Sequence, residues 1–399
     1  MEIIVAGFLV AIIFITVLLY RQHSRGAAPA DDSLSEYPVP KKPARAALLL
    51  SKKGPYTLVH DWPRPQISSK EVLIRNRAIG LNPIDWKCVT YGFGVYSIPW
   101  ISGREAAGVI EEIGAEVRNF RKGDRVWVTS TNYRDNRTST FQEFIAASPF
   151  NVGHLPDFIS FDEGATLGVG IVAAAGALFD SLHIPWPQQF EASPPIGTLS
   201  PTSPQPSISD QDGKPHGNPD SRPWILIWGA SCVTGMMATQ LAHQSNLRVL
   251  GVASLHNTSQ LLGLGAEKVL DRHRPEEVIA EAQELRISLA IDCVGQETAT
   301  YAARALLTGG KLAYLVKKPK VEVIEKKGLS VTDILIKRFH EDERYGSALV
   351  AFVERALVKR TLRPVKYEII EGGLEAVEEG LRKLSEGGVS GEKLVVKVV

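Results

Sequence analysis

Cysteine is scarce in this chain: Cys88, Cys232 and Cys293 are the only three in 399 residues, and they stand far apart. That excludes a disulfide framework and a four-thiolate zinc lobe, and it suits a reducing compartment. Charge of one sign is also lacking. The 45 basic residues against 44 acidic ones leave a net +1, so no bulk field recruits nucleic acid, and no nucleic-acid partner is expected. There is no internal repeat. Charged and apolar fractions, 22% and 44%, are those of an ordinary globular chain, long enough for two domains with substantial cores.

A long apolar run opens the chain. Ile3 to Tyr20 carries no charge and would reach about 27 Å as a helix, enough to cross a hydrocarbon core. A cleaved signal peptide is the competing reading, since Ala27-Ala28-Pro29-Ala30 has small residues. Against it, Glu2 precedes the run with no Lys or Arg, and the small-residue site lies well past its end. Residues 1–20 are therefore expected to be a retained single-pass anchor, followed by a polar tether over 21–44. Arg21, Arg25, Lys41, Lys42 and Arg45 all follow the run, which puts the body on the cytosolic face. The sequons at Asn136 and Asn257 would meet glycosylation in a lumen, which favours the same side.

From Ala46 to about Ser148 the chain reads as strands separated by Pro, Gly and charged turns: AALLL, TLVHDW, EVLIRNRAIG, AAGVIEEIG, DRVWVT and FQEFIAA. Gly164 to Leu182, rich in Ala and Gly, reads as a close-packed helical crossing. From Trp224 to about Val316 strand and helix patterns alternate, which predicts a doubly wound parallel sheet. The tail is strand, helix, strand, and is expected to return to the first unit. Residues 187–222, dense in Pro, Ser, Gly and Asp, cannot offset their ordering entropy and read as a surface insertion.

The stretch Trp224 to Ser254 carries the most chemistry. Ile225 to Trp228 form a buried-strand run, Gly229 and Gly235 bracket a turn, and Val233, Met236, Met237, Gln240 and Leu241 recur at helical spacing. Such a turn aims backbone N–H groups and a helix dipole at one point, which suits a pyrophosphate. Gly229, Ser231, Cys232, Val233, Thr234 and Gly235 are its candidate cofactor residues. It departs from G-x-G-x-x-G, because Cys232 and Val233 occupy positions where small glycines would allow closest approach.

Six stretches together resemble the medium-chain dehydrogenase/reductase superfamily, in the zinc-free branch of quinone oxidoreductases and fungal trans-acting enoyl reductases. They are Leu81 to Lys87, Gly103 to Ile110, Lys122 to Val126, Gly164 to Gly170, the GASCVTG turn, and Gly387 to Lys393. The resemblance implies an α/β protein: a GroES-like catalytic domain over 45–170, completed by 345–399, and an inserted Rossmann NADP-binding domain over 171–344. Substrate would sit in the cleft between them. Zinc-dependent relatives carry His-Glu where this chain has Arg104-Glu105, and a Cys near Ile84. Arginine is no zinc ligand, so no metal is expected, and hydride transfer would rest on positioning with NADPH supplying the chemistry.

The same resemblance assigns site residues. Ser254, His256 and Asn257 match the segment that contacts a ribose 2′-phosphate, and no acidic residue ends that strand, which weakens NAD. Arg272 is either a phosphate partner or a solvated charge. Cys293 and Val294 would pass near the nicotinamide ribose, with Asn82, Pro83 and Lys393 also on the cofactor side. Asp85, Lys87 and Tyr91 are the catalytic candidates; an Asp85–Lys87 ion pair is the structural alternative. Tyr91, Tyr96 and Thr166 are the candidate proton donors. Gly164, Thr166, Leu167 and Gly170 would either admit substrate against backbone or pack a helix closely. The expected activity is NADPH-dependent reduction of an activated C=C bond in an enoyl thioester or enone. The rivals are a quinone reductase and a non-catalytic anchored binding protein on the same scaffold. A homodimer is an open expectation.

Overall fold

The computed structural model describes residues 44–130, 132, 134–187 and 221–398. The expected anchor, the tether up to residue 43 and nearly all of the 187–222 insertion lie outside the described residues.

Two sheets organise the molecule. The first has strands β3 (Val72–Gly80), β4 (Glu105–Ile113), β5 (Arg125–Thr129), β6 (Phe144–Ala147), β7 (Val152–His154), β14 (Tyr367–Ile370) and β15 (Lys393–Lys397). Its path runs β14-β15-β3-β4-β5-β7, with β6 also paired to β3. The chain's tail thus enters the sheet: Val395 to Lys397 pair antiparallel with Ala78 to Gly80. A hairpin of β1 (Ala44–Leu49) and β2 (Tyr56–Trp62) packs beside it.

The second sheet is wholly parallel: β8 (Trp224–Trp228), β9 (Arg248–Ala253), β10 (Lys268–Asp271), β11 (Leu289–Asp292), β12 (Lys311–Tyr314) and β13 (Ser330–Asp333). Its order is β10-β9-β8-β11-β12-β13. Helices cover both faces, so Ile225 to Ile227, Val249, Leu250 and Ile291 are fully buried, as near-continuous apolar runs in parallel strands require. The order reverses between β8 and β11, and in open sheets of this kind ligands bind outside the carboxyl ends at that switch point.

The helix Gly168–Ala175 and the wider turn Gly176–Ser181 join the units. Most residues of the apolar stretch Phe161–Ser181 are buried, which makes it a core segment. Its side chains share one core with Ala78, Ala107 and Trp127 of the first sheet, with Ile225 and Ile227 of the second, and with Met236 of the helix Val233–Gln244. The expected border at 170/171 falls inside the helix Gly168–Ala175. Several elements went unread from the sequence, among them the helix Pro83–Tyr91, the edge strand β13 and the helix Glu343–Val358, which buries Leu349, Phe352 and Val353.

Candidate active site

One wall of the cleft is built from buried side chains. Asn82 caps the helix Pro83–Tyr91, with Pro83 at its first position where a missing N–H costs nothing. Asp85, 1% exposed, accepts from the Asn82 N–H at 3.0 Å through Oδ2. Glu105 opens β4 and is 0% exposed. Its Oε1 accepts from Asn82 Nδ2 at 2.7 Å and from Lys393 Nζ, and its Oε2 accepts from the Val169 N–H at 2.8 Å. Lys393 Nζ also donates to Asn82 Oδ1 at 2.8 Å. One carboxylate therefore ties the end of β3, the start of β4, the start of β15 and the head of the crossing helix. Lys393 and the Asn82 side chain, expected on the cofactor, are committed to this network.

Beside it sits Arg104, with a side chain 14% exposed. Its Nε lies 3.9 Å from Asp85 Oδ1, and its Nη2 donates to Cys88 Sγ at 3.9 Å. Burial pushes the Asp85 carboxyl up to about 6 against the pull of Arg104. Burial likewise raises the Cys88 thiol, with Arg104 opposing. His340, contributed after β13, is pushed down to about 3 by burial, and the Arg104 charge adds to the effect. His340 therefore stays neutral beside the Arg104 charge. The Asp85–Lys87 ion pair does not form. Residues two apart point to different sides of a helix, and Lys87 Nζ lies 5.7 Å from the centre of the Trp86 ring.

The other wall is backbone. Gly229 adopts φ +79°, and a Cβ there would run into Val294 Cγ2. A Cβ on Gly235 would collide with Gly229 O and Ala230. Cys232 is the N-cap of the helix Val233–Gln244, and its Sγ accepts from the Gly235 N–H at 3.3 Å. The N–H groups of the first helical turn point out of the helix beside half-exposed Ser231. Cys293 and Val294 follow β11, and Val294 is exposed. Asp292 Oδ2 accepts from the Val294 and Gly295 N–H groups at 3.1 and 3.0 Å; burial pushes its carboxyl up to about 6. These residues meet at the switch point, a cradle that fits a pyrophosphate.

At the adenosine end, Ser254 is half-buried and Arg272 exposed, the Arg272 N–H bonding Ala253 O at 3.0 Å so that the ends of β9 and β10 adjoin. His256 Nε2 lies 3.2 Å from Ser390 Oγ, and Asn257, buried, donates to that oxygen at 3.0 Å. The closing segment Gly387 to Lys393 thus clasps the second unit. Gly164, Thr166, Leu167 and Gly170 are all buried in packing. Thr166 Oγ1 donates to Glu163 O at 2.8 Å and accepts from the Val365 N–H at 3.2 Å, which leaves no proton for substrate. Tyr91, 67% exposed, and exposed Tyr96 stand at the surface, the latter 5.1 Å beneath the Arg134 guanidinium. Arg104, Glu105, Val169 and His340 were not read as site residues. Among the described residues no three His, Cys, Asp or Glu side chains group as metal ligands.

A β-rich unit that takes in the chain's tail, joined to a parallel sheet with a glycine turn at its switch point, is an architecture suited to a dinucleotide-dependent oxidoreductase. Residues 68–175 match the family model of the alcohol dehydrogenase GroES-like domain, and residues 233–349 that of the zinc-binding dehydrogenase. The trans-enoyl reductase resD of Aspergillus sclerotiorum is 30% identical over 382 residues, covering 88% of this chain and 99% of that protein. An alcohol dehydrogenase superfamily protein from Novosphingobium aromaticivorans superposes with a TM-score of 0.73 at 19% identity, over 89% of this chain and 100% of that one. The quinone oxidoreductase from Coxiella burnetii does so with 0.66 at 24%, over 90% and 99%. The chain belongs to the medium-chain dehydrogenase/reductase superfamily, on its zinc-free branch, and is a medium-chain oxidoreductase.

Proposed function

We propose that this enzyme uses NADPH, without zinc, to reduce an activated C=C bond in an enoyl thioester or enone. The observation that carries the reading is the Arg104 guanidinium, held part-buried by Asp85 and Cys88 where zinc-dependent relatives place a metal ligand. Hydride addition at the β-carbon of an enoyl group drives negative charge onto the carbonyl oxygen. A fixed cation in a desolvated cleft stabilises that charge, an effect of about 10² to 10³ in rate. The glycine turn would hold the pyrophosphate of a reduced dinucleotide, with Cys293 and Val294 beside its nicotinamide end, and that group would supply the hydride. Asp85 orients the guanidinium, and the Glu105 network holds the strand from which Arg104 projects. The α-carbon takes its proton from the open side, where Tyr91 and Tyr96 stand. Phe93, two residues beyond Tyr91, is also exposed and gives an acyl chain apolar surface.

The trans-enoyl reductase relative supports the substrate class. Preference for NADPH is supported by the absence of an acidic side chain at the end of β9 and by exposed Arg272 at the neighbouring strand end. The division into a catalytic domain (45–170 with 345–399) and a Rossmann domain (171–344) belongs to the same proposal, as does a homodimer. So does anchoring by residues 1–20 with the body in the cytosol. Asn136 and Asn257, the sequon residues, have buried and hydrogen-bonded side chains, and a glycan on either would break those bonds, which supports a non-lumenal body. The test is full-length protein with NADPH deuterated at the transferable position, offered a short enoyl thioester and a quinone separately. Deuterium on the β-carbon of a saturated thioester is expected. Quinone-dependent NADPH consumption with the thioester untouched would overturn the substrate class.

A further inference from the structure

Two of the three cysteines stand at the ends of the neighbouring strands β8 and β11, and nothing in dinucleotide binding needs sulfur there. A serine or threonine oxygen is a better N-cap acceptor than a thiol. Cys232 caps the helix after β8, and its N–H donates to Gly229 O at 3.0 Å. Cys293 follows β11 on the other side of the same glycine; a Cβ on Gly229 would lie 3.4 Å from Cys293 Cβ. The strand ends that carry them adjoin, the Cys293 N–H donating to Trp228 O at 3.0 Å, and each thiol is the main influence on the other's titration. Together they bracket the β8–β11 switch point.

We propose that Cys232 and Cys293 form an oxidisable dithiol whose disulfide staples the switch point shut, so that peroxide-class oxidants switch off dinucleotide binding. The consequence for the cofactor rests on reading this turn as the dinucleotide site. Cys232 reacts first. It is solvent-exposed, and the neighbouring Cys293 thiol, helped by the Gly235 N–H, holds its thiol below the usual range against desolvation. Its thiolate attacks a peroxide oxygen, the O–O bond breaks, and the released oxygen leaves as water with the proton the thiol gave up. Cys293 is buried and held protonated, and its sulfur then attacks the sulfenic sulfur. The S–S bond forms as the S–O bond breaks, and the departing hydroxide takes the Cys293 proton. Two thiols lose two electrons, and one peroxide becomes two waters. The bridge draws Cys232 Sγ from the Gly235 N–H towards β11, across the crevice a pyrophosphate would occupy. Cys88 is buried against Arg104 with its thiol raised, and serves as the internal control.

The test is reduced full-length protein in mild detergent, treated with hydrogen peroxide, mapped by non-reducing peptide mass spectrometry and titrated with NADPH. A Cys232–Cys293 peptide, a roughly tenfold or greater loss of NADPH affinity, recovery with dithiothreitol, and an intact Cys88 are expected. In C232S, compared only with its own untreated form, peroxide should no longer shift affinity. No cross-linked peptide after exhaustive oxidation, or a cross-link that leaves affinity unchanged, would overturn the proposal. If the reduced protein binds no dinucleotide, the reading of the turn fails; the peptide map still decides the dithiol, present or absent.

Discussion

The two walls of the cleft hold their shape by different means. The dinucleotide wall depends on the space left by Gly229 and Gly235 and on helix N–H groups, so its side chains can vary, as Cys232 does. The catalytic wall depends on one buried carboxylate, Glu105, satisfied by Asn82, Lys393 and the Val169 N–H. A backbone site tolerates substitution wherever no atom enters its space. A buried ionic network tolerates none that leaves a charge unpaired, since desolvation makes an orphaned ion costly. The first wall is thus expected to fail in affinity, the second in folding and rate.

The largest effect should follow E105A, which strands the Lys393 ammonium, only 3% exposed, and should cost about 3–5 kcal/mol in denaturant unfolding. The paired E105Q/K393M change should recover much of that. A single-variant cost near zero would mean that water reaches the network. Next, R104L should lower kcat/KM by about 10² to 10³ with NADPH affinity retained, and R104K should recover only part, lacking the planar fork. A loss confined to KM would assign Arg104 to ground-state binding.

Asp85 sharpens the comparison by pH. Its folded value, up to about 6, lies above the ordinary 3.8, so between these values the folded state binds more proton than the unfolded chain. Stability from this group is therefore full below about pH 4 and lost as pH rises to about 6, by up to about 3 kcal/mol. D85N should flatten that decline in a pH series of unfolding curves; an unchanged slope would place the titration elsewhere. The smallest effect is expected from G229A, where the positive φ and the nearby Val294 side chain should cost about 1–2 kcal/mol, read as weaker NADPH binding.

These contrasts also explain what the sequence made legible. The strand runs from Trp224 to Tyr314 and the glycines of the turn are local signals, and local periodicity is enough to place them. The edge strand Ser330–Asp333 is polar and half-exposed, so it has no apolar run to find. The helix Glu343–Val358 carries its stripe at Leu349, Phe352, Val353 and Ala356, a helical spacing that was there to be read. Lys393 and Glu105 were both inside quoted motifs, but they are 288 residues apart, and no local pattern predicts their meeting. The Asp85–Arg104 contact is hidden for the same reason, since it joins the helix Pro83–Tyr91 to the residue before β4.

The central claim is most directly tested by titrating the full-length protein with NADPH and NADH by nicotinamide fluorescence, with and without EDTA, followed by enoyl thioester turnover in the same samples. Micromolar NADPH binding, weaker NADH binding and turnover unmoved by EDTA are predicted. Turnover abolished by EDTA and restored by zinc would contradict the account.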